Sequence, residues 1–235
     1  MNTISEAFVL ALQMMWQLDA ELLDIIRLSL RVSLTAVVIG SLIGLPFGAL
    51  LALTRFPGRN ACIVLLNACM GLPPVVVGLI VYLILSRSGP LGAMGWLFTP
   101  AGMTMAQVVL ITPIVAALSR QIVADLWMEY EEQLRSLGLT PVGAIATLLW
   151  DGRFSLSTAV LAGFGRAIAE VGAIIIVGGN IAGYTRTMTT AISLETSRGD
   201  LALAVALGIV LLVIAITINA AATTLAHRAR IAQGA

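Results

Sequence analysis

The chain has 235 residues, of which 59% are hydrophobic and only 11% charged, with a mean hydropathy of +1.02. Soluble domains carry about 25% charged residues, so this composition argues against a water-facing globular surface. All thirteen basic residues are arginine, which excludes a GxxxxGK[ST] phosphate loop and places any ATP use on another chain; a formal net charge of +1 gives no basis for a nucleic-acid partner.

A helix that crosses a bilayer needs roughly 20 apolar residues, because the hydrocarbon core is about 30 Å thick and each residue rises about 1.5 Å. Uncharged intervals therefore measure the spans. Between Glu6 and Asp19 only 12 residues are uncharged, about 18 Å of helix and too short to cross. Phe8, Leu12, Met15 and Trp16 recur there at helical spacing. Residues 1–24 thus read as an N-terminal amphipathic segment, an interfacial helix lying on the membrane. It lacks the basic start of a cleaved signal peptide. If it crossed instead, one span would be added and the orientation of the later ones would not change.

The interval 32–54 holds 23 uncharged residues and forms the first span. Ala36, Gly40, Gly44, Gly48 and Ala52 place a small residue at every fourth position, which lets another helix approach closely. A packing seam within the bundle is expected there ahead of a substrate path, and Pro46 should bend the helix. The second span, 60–86, has 27 uncharged residues and carries Gly71, Pro73, Pro74 and Gly78 near its middle. Its Cys62 and Cys69 lie roughly 10 Å apart along the helix, too far for a disulfide, and are expected to be buried apolar filler. The stretch GPLGAMGWLFTPAG then reads as an interfacial loop before a third span, which starts near Met103 and contains Pro113. Prolines in three consecutive spans suit a cavity-lining bundle that flexes, since freed backbone groups at membrane depth need protein or water as partners.

The fourth span, 154–185, contains two charges, Arg166 and Glu170, four residues apart and able to pair on one helical face. Charges inside a span cost about 2.5–3.5 kcal/mol each and face a bundle interior or a wet cavity. Two readings stand: an ion pair that fixes the helix, or part of a gate near the cytoplasmic end of a path. Gly163, Gly165, Gly172, Gly178 and Gly179 surround the pair and permit close packing or local unwinding. The last span, 201–226, has 26 uncharged residues, and 227–235 is a cytoplasmic tail with the lone His227. The fold class is all-α: a polytopic membrane protein with five transmembrane helices over residues 25–226, plus the interfacial helix. Arg55, Arg59, Arg120, Arg135, Arg153, Arg228 and Arg230 fall on one side, against Arg27, Arg31, Arg87, Arg186 and Arg198 on the other. Seven against five sets the N-terminus outside and the C-terminus in the cytoplasm.

The polar segment 125–153 lies between spans three and four. Asp125, Glu129 and Glu132 share one helical face, with Leu126, Tyr130, Leu134 and Leu137 as the opposite apolar stripe. Glu131 and Arg135 are spaced to pair, and Gly138 suits a left-handed helix stop. Thr140 and Pro141 provide a cap and a first-turn proline for a second short helix, with Val142, Ile145, Leu148 and Leu149 on its apolar face. A free loop has no use for that face; it reads as a knob for a groove on another protein.

Glu132-Gln133-Leu134-Arg135-Ser136-Leu137-Gly138, followed by Pro141, resembles the EAA loop of permease subunits of ATP-binding-cassette (ABC) importers. Glu132 and Gly138 match that pattern, Gln133 and Leu134 replace its two alanines, and Leu148-Leu149-Trp150-Asp151 stands in place of its Leu-Pro close. The stretch 163–173 with Gly178-Gly179-Asn180-Ile181 resembles the oxyanion branch of that family, which imports molybdate, tungstate and sulfate, and is most similar to the tungstate permeases. The resemblance covers roughly residues 25–226.

It implies a type I importer core in the bacterial inner membrane that works as a homodimer with one path at the subunit interface. Two copies of a cytoplasmic ABC ATPase would clasp the loop, with Glu132, Leu137, Gly138, Pro141, Val142 and Ile145 as coupling residues. An extracytoplasmic oxyanion-binding protein would deliver the anion past a gate that includes Arg166, Glu170, Gly172 and Asn180. No cofactor or catalytic residue is expected in this chain. A stand-alone secondary transporter or channel would show an internal repeat or a carboxylate relay, and the sequence has neither. A membrane scaffold would be separated from a permease by whether an ABC ATPase co-purifies, and a membrane-bound enzyme ranks last for want of a nucleophile–base pair.

Overall fold

The computed structural model describes Val9, Leu12, Gln13, Trp16 and residues 20–232. The elements from Ala20 onward are α1 (Ala20–Leu53), α2 (Arg59–Met70), α3 (Pro74–Leu85), a 3-10 turn (Gly92–Met94), α4 (Pro100–Ser136), α5 (Ile145–Asp151), α6 (Arg153–Ile168), α7 (Gly172–Gly178), α8 (Met188–Arg198) and α9 (Leu201–Ala232). α1, α4 and α9 are long and apolar enough to cross a membrane, and α2–α3 and α6–α7 bring the number to five when each pair is one broken span. Pro46 and Pro113 sit inside continuous helices. The break after α2 falls at Gly71, Leu72 and Pro73, where Pro73 and Pro74 have no N–H to continue the ladder. Pro74 instead opens α3 at a first-turn position, where the missing donor does no harm. Leu12 and Trp16 of the expected interfacial helix are helical and exposed, whereas Phe8 and Met15 lie outside the described residues. α9 runs on through Ala232 into the expected tail.

By contacts the chain divides into two units. The first takes the chain up to Ala36, Pro73–Gln107 and Arg166–Thr217. Here α3 packs on α7 so closely that a Cβ at Gly78 would stand 2.7 Å from the Ala173 Cα. Val32, Met103 and Ile174 are buried together with Leu28 against them. Two buried polar side chains of the unit reach backbone partners, which a lipid solvent favours. The Ser29 hydroxyl accepts the Met188 N–H at 2.7 Å, and the Gln107 amide donates to the Ala167 carbonyl at 2.9 Å. Residues 186–200, left between two expected spans, hold α8, whose Met188, Thr189, Thr190, Ala191 and Glu195 are buried. Eleven residues with a threonine-rich start carry too little apolar content to register as a span, and the burial is sustained by local hydrogen bonds instead.

The second unit takes Val37–Leu72, Val108–Gly165 and the chain from Ile218. The small-residue stripe on α1 is a packing seam against α4. A Cβ at Gly44 would stand 3.0 Å from the Thr112 carbonyl oxygen and the Val115 Cβ, and one at Gly48 would run into the Ala116 carbonyl. The Ser119 hydroxyl donates across this seam to the Leu45 carbonyl at 2.8 Å. Arg59 folds back on the end of α1, donating to the Leu51 and Ala52 carbonyls at 2.8 and 3.1 Å. That places a cation where a helix leaves carbonyls unpaired and carries negative dipole charge. Cys62, expected to be buried, is exposed on α2, and Cys69 is half-buried; both are free thiols.

Candidate functional site

In the second unit, α4 reaches Ser136 and ends at Gly138, whose φ of 77° is left-handed. The Gly138 and Leu139 N–H groups close the helix end on the Arg135 and Leu134 carbonyls at 2.9 and 3.0 Å, so this turn is a glycine stop of the expected kind. Thr140 then accepts the Gly143 N–H at 3.1 Å. It caps an isolated turn at 141–144, and the second helix, α5, starts only at Ile145. The expected helix start at Pro141 is therefore four residues early, because that first turn does not propagate.

The loop's apolar faces divide in two. Leu134, Ala144 and Leu148 are buried with Ala49, Leu53 and Val123, and Leu126, Tyr130, Ile145 and Leu149 pack around them. This part of the face covers the chain's own core: Leu148, expected on the face that meets a partner, is buried, and Ile145 is half-buried beside it. The outward part comprises Met128, Leu137, Val142 and Trp150, with Leu137 76% and Trp150 72% exposed. Pro141 is half-buried, and Glu132 is exposed on the acidic face with Asp125 and Glu129. Glu131 and Arg135 pair at 2.6 Å. Arg153 donates to the Trp150 carbonyl at 2.8 Å, with its guanidinium 4.9 Å from the Trp150 ring centre and 4.5 Å from that of Phe154.

In the first unit, Arg166 and Glu170 do meet, at 3.0 Å, but not along one helix. α6 ends at Ile168 and α7 begins at Gly172, so Glu170 lies in the break of what was expected as a continuous span. Its Oε2 contacts Arg166 without hydrogen-bond alignment, while Oε1 accepts the Ala173 N–H of α7 at 3.1 Å. One carboxylate, 2% exposed, thus grips the helix on either side of the break. Thr189 donates to the Glu170 carbonyl at 2.7 Å, which ties the break to α8. At Gly172 a Cβ would stand 2.8 Å from Val75 Cγ2.

Asn180 takes a left-handed φ of 51°, a conformation that asparagine tolerates better than most residues. Its amide donates to the Thr190 carbonyl at 3.4 Å. Thr185 fastens the same turn, donating to the Gly178 carbonyl at 2.6 Å and accepting the Ile181 N–H at 2.9 Å. Of the expected gate residues, Glu170 and Asn180 thus bond to α8, through the hydroxyl of Thr189 and the backbone of Thr190.

The sequence reading missed the companion ion cluster. Arg186 Nη1 lies 3.5 Å from Glu21 and 3.6 Å from Glu195, and Arg198 lies 3.2 Å from Glu195. Arg186 also faces a hollow of about 740 Å³ with Arg27 and Arg31 on its wall. The signal available was Glu195 itself, a carboxylate in an otherwise uncharged run from 187 to 197.

Residues 44–231 match the family of binding-protein-dependent transport system inner membrane components. A tungstate uptake system permease protein of Peptoclostridium acidaminophilum is 38% identical over 220 residues, covering 94% of this chain and 96% of the relative. One of the same description from Campylobacter jejuni is 36% identical, covering 93% of this chain and 92% of the relative. A probable anion ABC transporter permease protein of Haloferax volcanii is 38% identical, covering 85% and 88%. The chain belongs to this family of inner membrane transport components. It is a multi-pass ABC importer permease, a transport subunit and not itself an enzyme, and its family works with an ATPase and a substrate-binding protein.

Proposed function

We propose that this permease carries tungstate inward. The carrying observation is that two relatives named for tungstate uptake match it over more than nine-tenths of its length. In this reading two copies of the chain form the path, two ATPase subunits bind beneath them, and an outer receptor delivers the anion. The N-terminus is outside and the C-terminus cytoplasmic, so the loop at 125–153 meets the ATPase.

The outward side chains of that loop carry the contact: Glu132, Leu137 and Val142, with Gly138 and Pro141 setting the turn that presents them. Ile145 acts from behind, by seating α5 on the core under Leu53 and Val123. Closure of the ATPase pair pushes α5, and because Leu148 is locked among α1 and α4 residues, the push is transmitted to those helices as a body. Arg166, Glu170, Gly172 and Asn180 form the gate region, where a break already exists and needs no helix to be melted. Alternation between inward- and outward-facing states then follows ATP binding and hydrolysis in the partner.

The test is uptake into proteoliposomes holding the permease, its ATPase and its receptor. ATP-dependent tungstate accumulation, reduced little by molybdate or sulfate in excess, is the expected result. Import of molybdate or sulfate in preference would replace the substrate, and accumulation without the ATPase would overturn the mechanism.

A further inference from the structure

We propose that Phe98 is a positioning residue for transport: it clasps the far ends of α3 and α7, so that the two half-helices travel as one piece when the permease alternates. The inference deepens the gate reading above and rests on it. α3 and α7 are each the second half of a broken span. They touch near their starts, where Gly78 meets Ala173, and their far ends come together on α4, with Leu85 and Val177 both beside Gly102. Apolar packing is non-directional and resists separation more than sliding. Directional contacts are needed to stop the slide.

Phe98 supplies them. Its N–H donates at 2.9 Å to the carbonyl of Val177, in the last turn of α7, where a helix leaves carbonyls unpaired. Its ring lies on Gly179, where a Cβ would stand 2.9 Å from Phe98 Cδ1. The same ring meets Tyr82 of α3 edge-on, with centroids 6.1 Å apart and planes at 65°, a geometry that aromatic quadrupoles favour. Making these contacts requires a left-handed φ of 61°, rare for a bulky residue. Glycine would take that turn freely and still offer the N–H, and a ring on a residue 41% exposed is not core filling. What glycine lacks is the ring, whose partners are α3 and the Gly179 turn. Strain kept at one residue by its surroundings points to a role in function. Asn180, of the gate region, follows Gly179 directly, so Phe98 sets where that turn stands relative to α3.

The experiment uses the permease–ATPase complex in nanodiscs and, with the receptor, in proteoliposomes. Phe98→Gly keeps the N–H and suits the turn but removes the ring, whereas Phe98→Tyr keeps the ring. Spin labels at Leu83→Cys and Ile175→Cys, exposed positions on α3 and α7, report their separation with and without nucleotide in a chain whose Cys62 and Cys69 are changed to serine. With Phe98 or Phe98→Tyr the distance distribution should be narrow and the same in both states, and in Phe98→Gly roughly twofold wider. Equal width in Phe98→Gly, or a distance that changes with nucleotide while the ring is present, overturns the clasp. Tungstate imported per ATP hydrolysed should fall about tenfold in Phe98→Gly and stay near that of the unmodified chain in Phe98→Tyr. A ratio that falls in Asn180→Ala but not in Phe98→Gly overturns the positioning role and leaves the gate reading standing; a ratio unchanged in both overturns both. Should Phe98→Gly fail to insert, Tyr82→Leu decides: it removes the ring's partner on α3 without touching residue 98. The same widening and the same fall support the proposal, and the absence of either overturns it.

Discussion

Glu131–Arg135 and Arg166–Glu170 are written alike, an acid and an arginine four residues apart, and the structure gives them opposite surroundings. The first pair lies on a continuous helix with Arg135 63% exposed, in water that screens it. The second places Glu170 in a chain break, almost wholly buried, with Arg166 33% exposed. What separates them is the backbone on which each pair sits. In the loop, helix geometry makes the pair, and the pair decorates it. At the break, no helix holds the two residues together, and the carboxylate itself joins α6 to α7 through Arg166 and the Ala173 N–H.

The largest effect should therefore follow from breaking the buried pair on one side. Arg166→Ala leaves a carboxylate buried without its cation, and thermal unfolding in detergent should show a loss of ~3 kcal/mol, the lower end for opening a buried pair because Arg166 is partly exposed. Arg166→Ala/Glu170→Ala should lose less than Arg166→Ala alone. Equal losses would mean that the two charges do not act as a pair. Glu170→Gln sharpens the point: its amide oxygen still accepts from Ala173, so its loss should fall below that of Glu170→Ala.

A middling effect belongs to the loop's turn. Nothing lies within 4 Å of a Cβ at Gly138, so a substitution there meets only backbone strain at φ 77°. Gly138→Val should cost ~1–2 kcal/mol, with the protein still inserted but ATPase retention and ATP-driven uptake reduced. Gly138→Asn, which tolerates the left-handed region, should restore most of both. Equal behaviour of the two variants would place the fault in surface chemistry and not in the turn.

The sequence carried the span pattern, the packing stripe and the glycine stop, because each depends on local chemistry: charge-free length, small residues every fourth position, and a turn only glycine enters freely. It carried Arg166 and Glu170 as partners and local unwinding near them as one of two options, but not the position of the break, since Ala169 and Val171 give no stop signal. The break is held by a local hydrogen bond from the Ala173 N–H to the Glu170 carboxylate and by a longer-range one from Thr189. For the same reason α8 was invisible: its burial is supported by Thr187 and Thr190 capping one another and by ions from other segments. The direction of Leu148 was misjudged because helical spacing defines a face without saying whether the chain's own core or a partner covers it.

The smallest effect should come from the exposed pair. Glu131→Ala removes an interaction worth at most ~0.5 kcal/mol in water. It leaves Arg135 on the loop, free to fold over the surface or to meet solvent. Stability should shift within that amount, and the shift should vanish in high salt, where exposed charges are screened. ATPase retention should stay near that of the unmodified chain, because the outward contacts of Leu137, Val142 and Glu132 are untouched. Rescue of a Glu131→Ala defect by salt would fit simple screening. A defect that persists in high salt would instead make Arg135 part of the docking surface, and the two pairs would then share more than their spacing.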